Sequence, residues 1–388
     1  MIDIARVRAD TPSCEKIIHF NNAGASLMPD PAFNAMSAHL QLERDIGGYE
    51  AARQAEEKLD SFYTEFAALL RCTPQEIAFV ENATRAWDLA FYGLQLEPGD
   101  RILVHESEYS SNYLALLHRA QQSKLEIDLV PSDQSGQIDV AAMETMISDR
   151  TRLVLLTHVP TQGGLVNPAA AVGEIARQHG LLYMLDACQS AGQIDLDVGK
   201  IGCHVLSGTG RKFLRGPRGT GFLYVAADAT DRIQPAFVDM RAADWTEPNR
   251  FELAPGARRY ETWESFVAGR VGLASAVRYA RDVGLAEIEQ RVSSLGATLR
   301  AALAEVPGIT VHDQGVTKCG IVTFAKQGEP ATLVAARLFE RGINISVIDA
   351  LSAQIDFTGR GLEQLARASV HYFNTEDEIV RVVDAVRS

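Results

Sequence analysis

LSGTGRKFLRGPRGTGFLYV, residues 206–225, sets Lys212 after Ser207, Gly208, Thr209, Gly210 and Arg211 and ahead of Gly216, Gly219 and Gly221. A lysine becomes a nucleophile when its ammonium is desolvated or crowded by another cation, which favours the neutral amine and opens the way to a Schiff base. Arg211 and Arg215 supply neighbouring charge, and glycines let backbone approach a flat ligand closely. A basic surface loop ahead of a strand has the same composition, so the decision rests upstream. There, HGLLYMLDACQSAGQIDLDV, residues 179–198, carries a short apolar run from Leu181 to Leu185 with Asp186 at its carboxyl end. In open α/β sheets, ligands bind outside the carboxyl ends of strands. An acid there can cap a helix, bind a sugar hydroxyl, or pair with a protonated heterocyclic nitrogen.

Pyridoxal phosphate needs such a pairing, because a carboxylate on its ring nitrogen keeps the ring an electron sink. The pair DACQSAG and SGTGRKFLRGP resembles the fold type I pyridoxal phosphate enzymes, in particular the class V aminotransferase and cysteine desulfurase superfamily. The likeness extends over most of the chain. It implies an α/β fold, with a large domain built on a mostly parallel seven-stranded-type sheet and a smaller α+β carboxyl-terminal domain. It also implies that Lys212 is the Schiff-base lysine, that Asp186 holds the ring nitrogen, and that Gln189 meets the cofactor's phenolic oxygen. Thr209 and Arg211 correspond to phosphate ligands. The family further implies a homodimer with shared active sites.

A chain of 388 residues is too long for one ordinary core and suits a large domain plus a smaller one. We expect an amino-terminal arm over 1–27, a cofactor-binding domain over 28–255, and a linker helix with the small domain over 256–388. Hydrophobic residues at 46% and charged residues at 22% are ordinary for a soluble globular chain. A net charge of −13 argues against a nucleic-acid or anionic-membrane surface. The five cysteines show no CxxC spacing, so neither a disulfide framework nor a metal site is expected, and the compartment reads as reducing and cytoplasmic. No stretch reaches the roughly 18 apolar residues of a membrane span, and MIDIARVRADTPSC lacks a signal-peptide core.

The other candidate site residues follow in chain order. IIHFNNAGASLMP, residues 17–29, puts Ala25 in a small-residue turn that the resemblance places at the substrate pocket. The break at Gly47, Gly48 and Tyr49 would lie near the partner's active site. In IAFVENATRAWDLAFYGL, residues 77–94, Thr84 stands at the expected helix start, where free N–H groups and the helix dipole favour an anion. Ala83 and Thr84 correspond to the turn that holds the cofactor phosphate. At the next strand end, EYSSN aligns Tyr109 with the side chain laid over the cofactor ring, where cysteine desulfurases commonly carry a histidine. A tyrosine stacks as well, but does not shuttle protons near neutral pH as an imidazole does. His158 and Gln162, in THVPTQGG, are candidates for substrate specificity. The alternation of strands and helices over 77–225 fits a parallel sheet covered on both faces, with a late antiparallel strand at GFLYV.

RRYETWES, residues 258–265, resembles the segment that reaches the neighbouring subunit's site, with Trp263 and Glu264 contributing to cofactor binding there. Strands are expected at GITVHD, CGIVTF, NISVI and RASVHYF. Arg367 in the last of these corresponds to the family's clamp on the substrate carboxylate, a task suited to a planar bidentate donor.

Desulfurases carry a nucleophilic cysteine on a mobile loop before that arginine; residues 348–365, IDALSAQIDFTGRGLEQL, hold none. The expected activity is therefore carbon–sulfur lysis, a β-elimination from an S-substituted cysteine or its sulfoxide, with Lys212 as general base. A class V transaminase or an amino-acid epimerase is the alternative. A persulfide-forming desulfurase or a non-catalytic protein of the same fold ranks below both. The branch that includes isopenicillin N epimerase and hercynylcysteine sulfoxide lyase is the nearest in pattern. A dinucleotide-dependent dehydrogenase is disfavoured, because NNAGAS is not a GxGxxG fingerprint.

Overall fold

Alternation along the strands builds the centre of the molecule, which a computed structural model describes for residues 2–388. In the strand Leu182–Asp186, Tyr183 and Leu185 are buried in one cluster, and Leu182 and Met184 in another. The strand Thr151–Thr157 divides the same way, Val154 and Leu156 against Leu153 and Leu155. Strands buried on both faces belong inside a layered α/β domain. The sheet has seven strands, in the spatial order Ile77–Val80, Gly221–Val225, Val205–Thr209, Leu182–Asp186, Thr151–Thr157, Arg101–His105, Glu126–Val130. Gly221–Val225 runs against both its neighbours, and the remaining pairings are parallel.

One face is covered by Phe62 and Phe66 of the helix Glu56–Leu70, Val172 of Ala169–Gln178, and Leu273 and Val277 of Val267–Val283. The other is covered by Ala86, Trp87 and Ala90 of Ala83–Gly93 and by Leu116 of Ser110–Ser123. The helix Leu285–Ala304 then leads to a four-stranded antiparallel sheet, ordered Ile309–Val311, Ile321–Lys326, Gln364–Ser369, Ser346–Asp349. Its core joins Leu295, Leu299, Phe324, Val334, Leu338 and Val382. The start of the chain belongs to this smaller layer as well: Ile18–His19 pairs in parallel with Ile343–Asn344, and Arg8 binds Glu378 at 2.8 Å.

Local structure departs from expectation in four places. The break near residue 47 is a single residue, since one helix ends at Ile46, Gly47 takes φ 95°, and another helix runs over Gly48–Gln54. Thr84 does not open its helix; Asn82 is the cap, its Oδ1 accepting from the Arg85 N–H at 2.9 Å. NISVI is two short strands because Ile343–Asn344 pairs with the chain start and Ser346–Asp349 with Gln364–Ser369. The strand expected at RASVHYF ends at Ser369. Among the described residues no helix is long and apolar enough to cross a membrane, and no His, Cys, Asp and Glu group could hold a metal ion.

Candidate active site

Register brings the two defining residues together. Asp186 ends its strand opposite Ser207, and the next strand continues through Thr209 into the turn that carries Lys212. Asp186 is 4% exposed; its Oδ1 accepts from the Cys188 N–H at 2.7 Å and its Oδ2 from Asn112 Nδ2 at 2.8 Å. Lys212 is also buried, and among the described residues nothing hydrogen-bonds its amine. Burial holds that amine below the usual lysine range; Arg211 and Arg367 push the same way, against Cys188 and Asp186. A buried, unpartnered amine is poised for Schiff-base formation.

An anion cradle lies beside it. Gly221, paired with Thr209, sits so close to the start of the helix Ala83–Gly93 that a Cβ there would come within 2.9 Å of the Asn82 carbonyl carbon. This contact seats the helix N-terminus, with Ala83 and Thr84, against the end of the Lys212 strand. Free N–H groups and the helix dipole there suit a phosphate. Arg211 Nη1 donates to Thr209 Oγ1 at 2.9 Å, tying the two expected phosphate ligands together.

Opposite lies Arg367. Its Nε donates to Ser346 Oγ at 3.0 Å and its Nη1 to the Thr161 carbonyl at 3.0 Å. Burial pushes its guanidinium down to about 10, with the Tyr109 phenol opposing and the Arg211 charge adding. Tyr109, half-buried at the start of the helix Ser110–Ser123, therefore shares this corner with Arg367. Gln189 Nε2 donates to Thr161 Oγ1 and to the Ala23 carbonyl, both at 3.1 Å. Ala25 lies in that same amino-terminal turn, next to Ser26, whose N–H donates to the Arg211 carbonyl at 2.8 Å.

Four expected residues lie elsewhere. Gln162 is buried, but its amide reaches the Ser107 carbonyl and Asp356 of the helix Gln354–Gly359, so it faces the segment 348–365. His158 follows Thr157, whose hydroxyl donates to Glu108, and successive residues of an extended chain face opposite ways. His158 accordingly lines a separate depression with Pro168, Ile194 and Leu196, where burial holds its imidazole down to about 4. Trp263 and Glu264 line a groove of about 550 Å³ with Tyr49, Arg241, Glu261 and Arg270, and Trp263 is 55% exposed there. Lys212 does not line that groove, which the Tyr49 segment and RRYETWES share.

Two residues escaped the sequence reading. Thr161 joins Arg367 to Gln189, and Asn112 joins Glu108 to Asp186. Both stand in stretches already singled out, PTQGG and EYSSN, but their partners are distant in sequence. Around these groups, among the described residues, Glu108 Oε2, Gln189 Oε1 and Ser207 Oγ are buried without a partner. Buried polar atoms are nearly always paired, so this end of the sheet is built for a polar ligand.

A probable cysteine desulfurase of Methanothermobacter thermautotrophicus is 27% identical over 96% of this chain and 94% of its own length. Another, from Halalkalibacterium halodurans, is 30% identical over 86% of this chain and 80% of its own length. The apo structure of a cysteine desulfurase from Thermococcus onnurineus NA1 superposes with a TM-score of 0.93 at 25% identity, covering 100% of this chain and 98% of that one. These relatives carry the name of the activity that the sequence reading ranked low. Residues 18–382 match the family description Aminotransferase class-V, so the chain belongs to the class-V aminotransferase family.

Proposed function

We propose that this class V enzyme is a carbon–sulfur lyase that eliminates the sulfur substituent from an S-substituted cysteine or its sulfoxide. Pyridoxal phosphate is the cofactor. Lys212 and Asp186 would bind its reactive carbon and ring nitrogen, Gln189 its phenolic oxygen, and Ala83, Thr84, Thr209 and Arg211 its phosphate, under Tyr109. When bound, the group supplies the electron sink that stabilises negative charge at the substrate α-carbon.

The chain's own residues do the rest. Arg367, already turned by Ser346 and Thr161, keeps an N–H edge for the substrate carboxylate. The Lys212 amine, freed by the substrate, takes the α-proton as general base. The carbon–sulfur bond then breaks with its electron pair leaving on sulfur, and the released enamine hydrolyses to pyruvate and ammonia.

The observation that carries elimination is the state of the thiols. A desulfurase needs a reactive thiolate to take the sulfur. Here residues 348–365 contain no cysteine, and the helix Gln354–Gly359 occupies that segment. Burial pushes Cys14 and Cys319 up to about 11, Cys72 up to about 12, and Cys188 and Cys203 higher still. The second reading, a cysteine desulfurase, is favoured by the names of the relatives.

A homodimer would cover the groove lined by Tyr49 and Trp263 and would carry Trp263 and Glu264 to the partner's cofactor. The unpaired cysteines accord with a cytoplasmic enzyme.

The test supplies cofactor-loaded enzyme with S-substituted cysteines and their sulfoxides, scored for pyruvate. Alanine or aspartate with a keto acid is scored alongside for amino transfer. Pyruvate without a keto-acid requirement is expected; amino transfer without pyruvate would replace the lyase by a transaminase.

A further inference from the structure

Glu108 is buried at the end of the strand Arg101–His105, and its two oxygens have unlike surroundings. Oε1 accepts from the Tyr109 N–H at 2.9 Å, from Asn112 Nδ2 at 2.9 Å and from Thr157 Oγ1 at 2.5 Å. Oε2 is buried and, among the described residues, has no partner. The same Asn112 amide nitrogen donates its other hydrogen to Asp186 Oδ2 at 2.8 Å. One amide thus bridges two carboxyl groups, close enough for the Asp186 charge to raise the cost of ionising Glu108.

We propose that Glu108 is a positioning residue. As a neutral acid carrying its proton on Oε2, and linked to Asp186 through Asn112, it fixes which oxygen of Asp186 faces the cofactor ring and leaves one net negative charge on the pair. The assignment follows from burial. The three donors to Oε1 favour the ionised form, but its Oε2 would then be a buried oxygen without a hydrogen bond, beside the Asp186 charge, which is costly. Asp186 differs, because both of its oxygens accept a donor. Two carboxyls bridged by one amide, with environments that favour different protonation, divide into one acid and one carboxylate.

The groups facing Glu108 are Tyr109 and Asn112 from its own loop and helix, Thr157 from one neighbouring strand and Asp186 from the next. Tyr113, Leu117, Leu351, Gln354 and Ile355 line the slot beside it. Asp186 is the charged group among these. Burial pushes Glu108 up to about 7, so the second charge appears as pH rises through neutrality. Once present, it strengthens proton binding by the cofactor held at Lys212 and Asp186.

This inference rests on the cofactor reading above, and two measurements separate their failures. The first uses cofactor-free protein: the infrared difference between about pH 5 and pH 9 contains a buried carboxylic-acid band in the wild type that Glu108→Gln removes. Spectra of wild type and Glu108→Gln with the same carboxylic-acid bands would overturn the proposal, whatever the cofactor does. The second follows the visible absorption of cofactor-loaded protein against pH. Glu108→Gln lacks the alkaline charge, so its transition falls at lower pH than in the wild type, by about one unit or tenfold in proton affinity. Glu108→Ala shifts the same way and also broadens the band, because Asn112 loses its anchor, while Glu108→Gln keeps the band narrow. Coincident titration curves for wild type and Glu108→Gln would overturn the link to the cofactor. A protein that takes up no pyridoxal phosphate sinks the functional reading instead and leaves the infrared result standing.

Discussion

Lys212 has one task that no neighbour can assume, since it is the buried amine beside Asp186 and the anion cradle. Lys212→Ala is expected to abolish turnover, and borohydride reduction of the wild type should leave the cofactor mass on the peptide containing Lys212. Arg367→Lys keeps the charge but loses the fork held by Ser346 and Thr161; KM for the amino-acid substrate should rise roughly tenfold to a hundredfold, with a smaller change in kcat. His158 makes a prediction about stability. Burial lowers its folded pKa from 6.5 to about 4, so between those values the unfolded chain binds more protons than the folded one. Its contribution is therefore complete above 6.5 and lost as pH falls towards 4, on the order of 1–3 kcal/mol. Melting temperatures of cofactor-free His158→Gln should fall less steeply over that window than those of the wild type. Lys212 and Asp186 stood out as candidates in the sequence because DACQSAG and SGTGRKFLRGP occur as a pair, each being ambiguous alone. Asn112 and Thr161 did not, because their roles come from partners that only the folded sheet brings near.

At the scale of elements, the helix Ala83–Gly93 carries both a structural and a ligand duty. Asn82→Ala removes the cap on the Arg85 N–H and should cost about 1 kcal/mol in urea unfolding of the cofactor-free protein. Gly221→Ala acts differently, since its Cβ would meet the Gly208 carbonyl oxygen at 2.8 Å and the Asn82 carbonyl carbon at 2.9 Å. It should push the helix start off the strand end and raise the dissociation constant for pyridoxal phosphate tenfold or more, on the order of 1.4 kcal/mol. The strands of the large sheet were legible because apolar runs such as Leu182–Leu185 fill both faces. Residues 226–265 were not: the hairpin Ala243–Glu247 with Arg250–Leu253 leaves Trp245 80% and Phe251 56% exposed, so it carries no core pattern. The helix Gln354–Gly359 was equally hidden, since six residues offer less than two turns of periodicity.

For the whole molecule, the large sheet carries the residues we assign to the cofactor, and the smaller layer carries Arg367. The groove with Tyr49 at 69% and Trp263 at 55% exposure is the face we assign to a second copy. Light scattering should give twice the mass of one chain, and Trp263→Asp should lower it towards one chain and weaken cofactor retention together. Both layers were readable from the family likeness. The cysteine-free stretch 348–365 was readable too, whereas the burial of the five thiols needed the fold. The direct test of elimination gives the cofactor-loaded enzyme an S-substituted cysteine or L-cysteine, each as sole substrate in the presence of a reductant, with the carbon product identified by NMR. The account predicts pyruvate and ammonia in equal amounts. Alanine, with the sulfur first captured on an enzyme cysteine, would contradict it and make the chain a desulfurase.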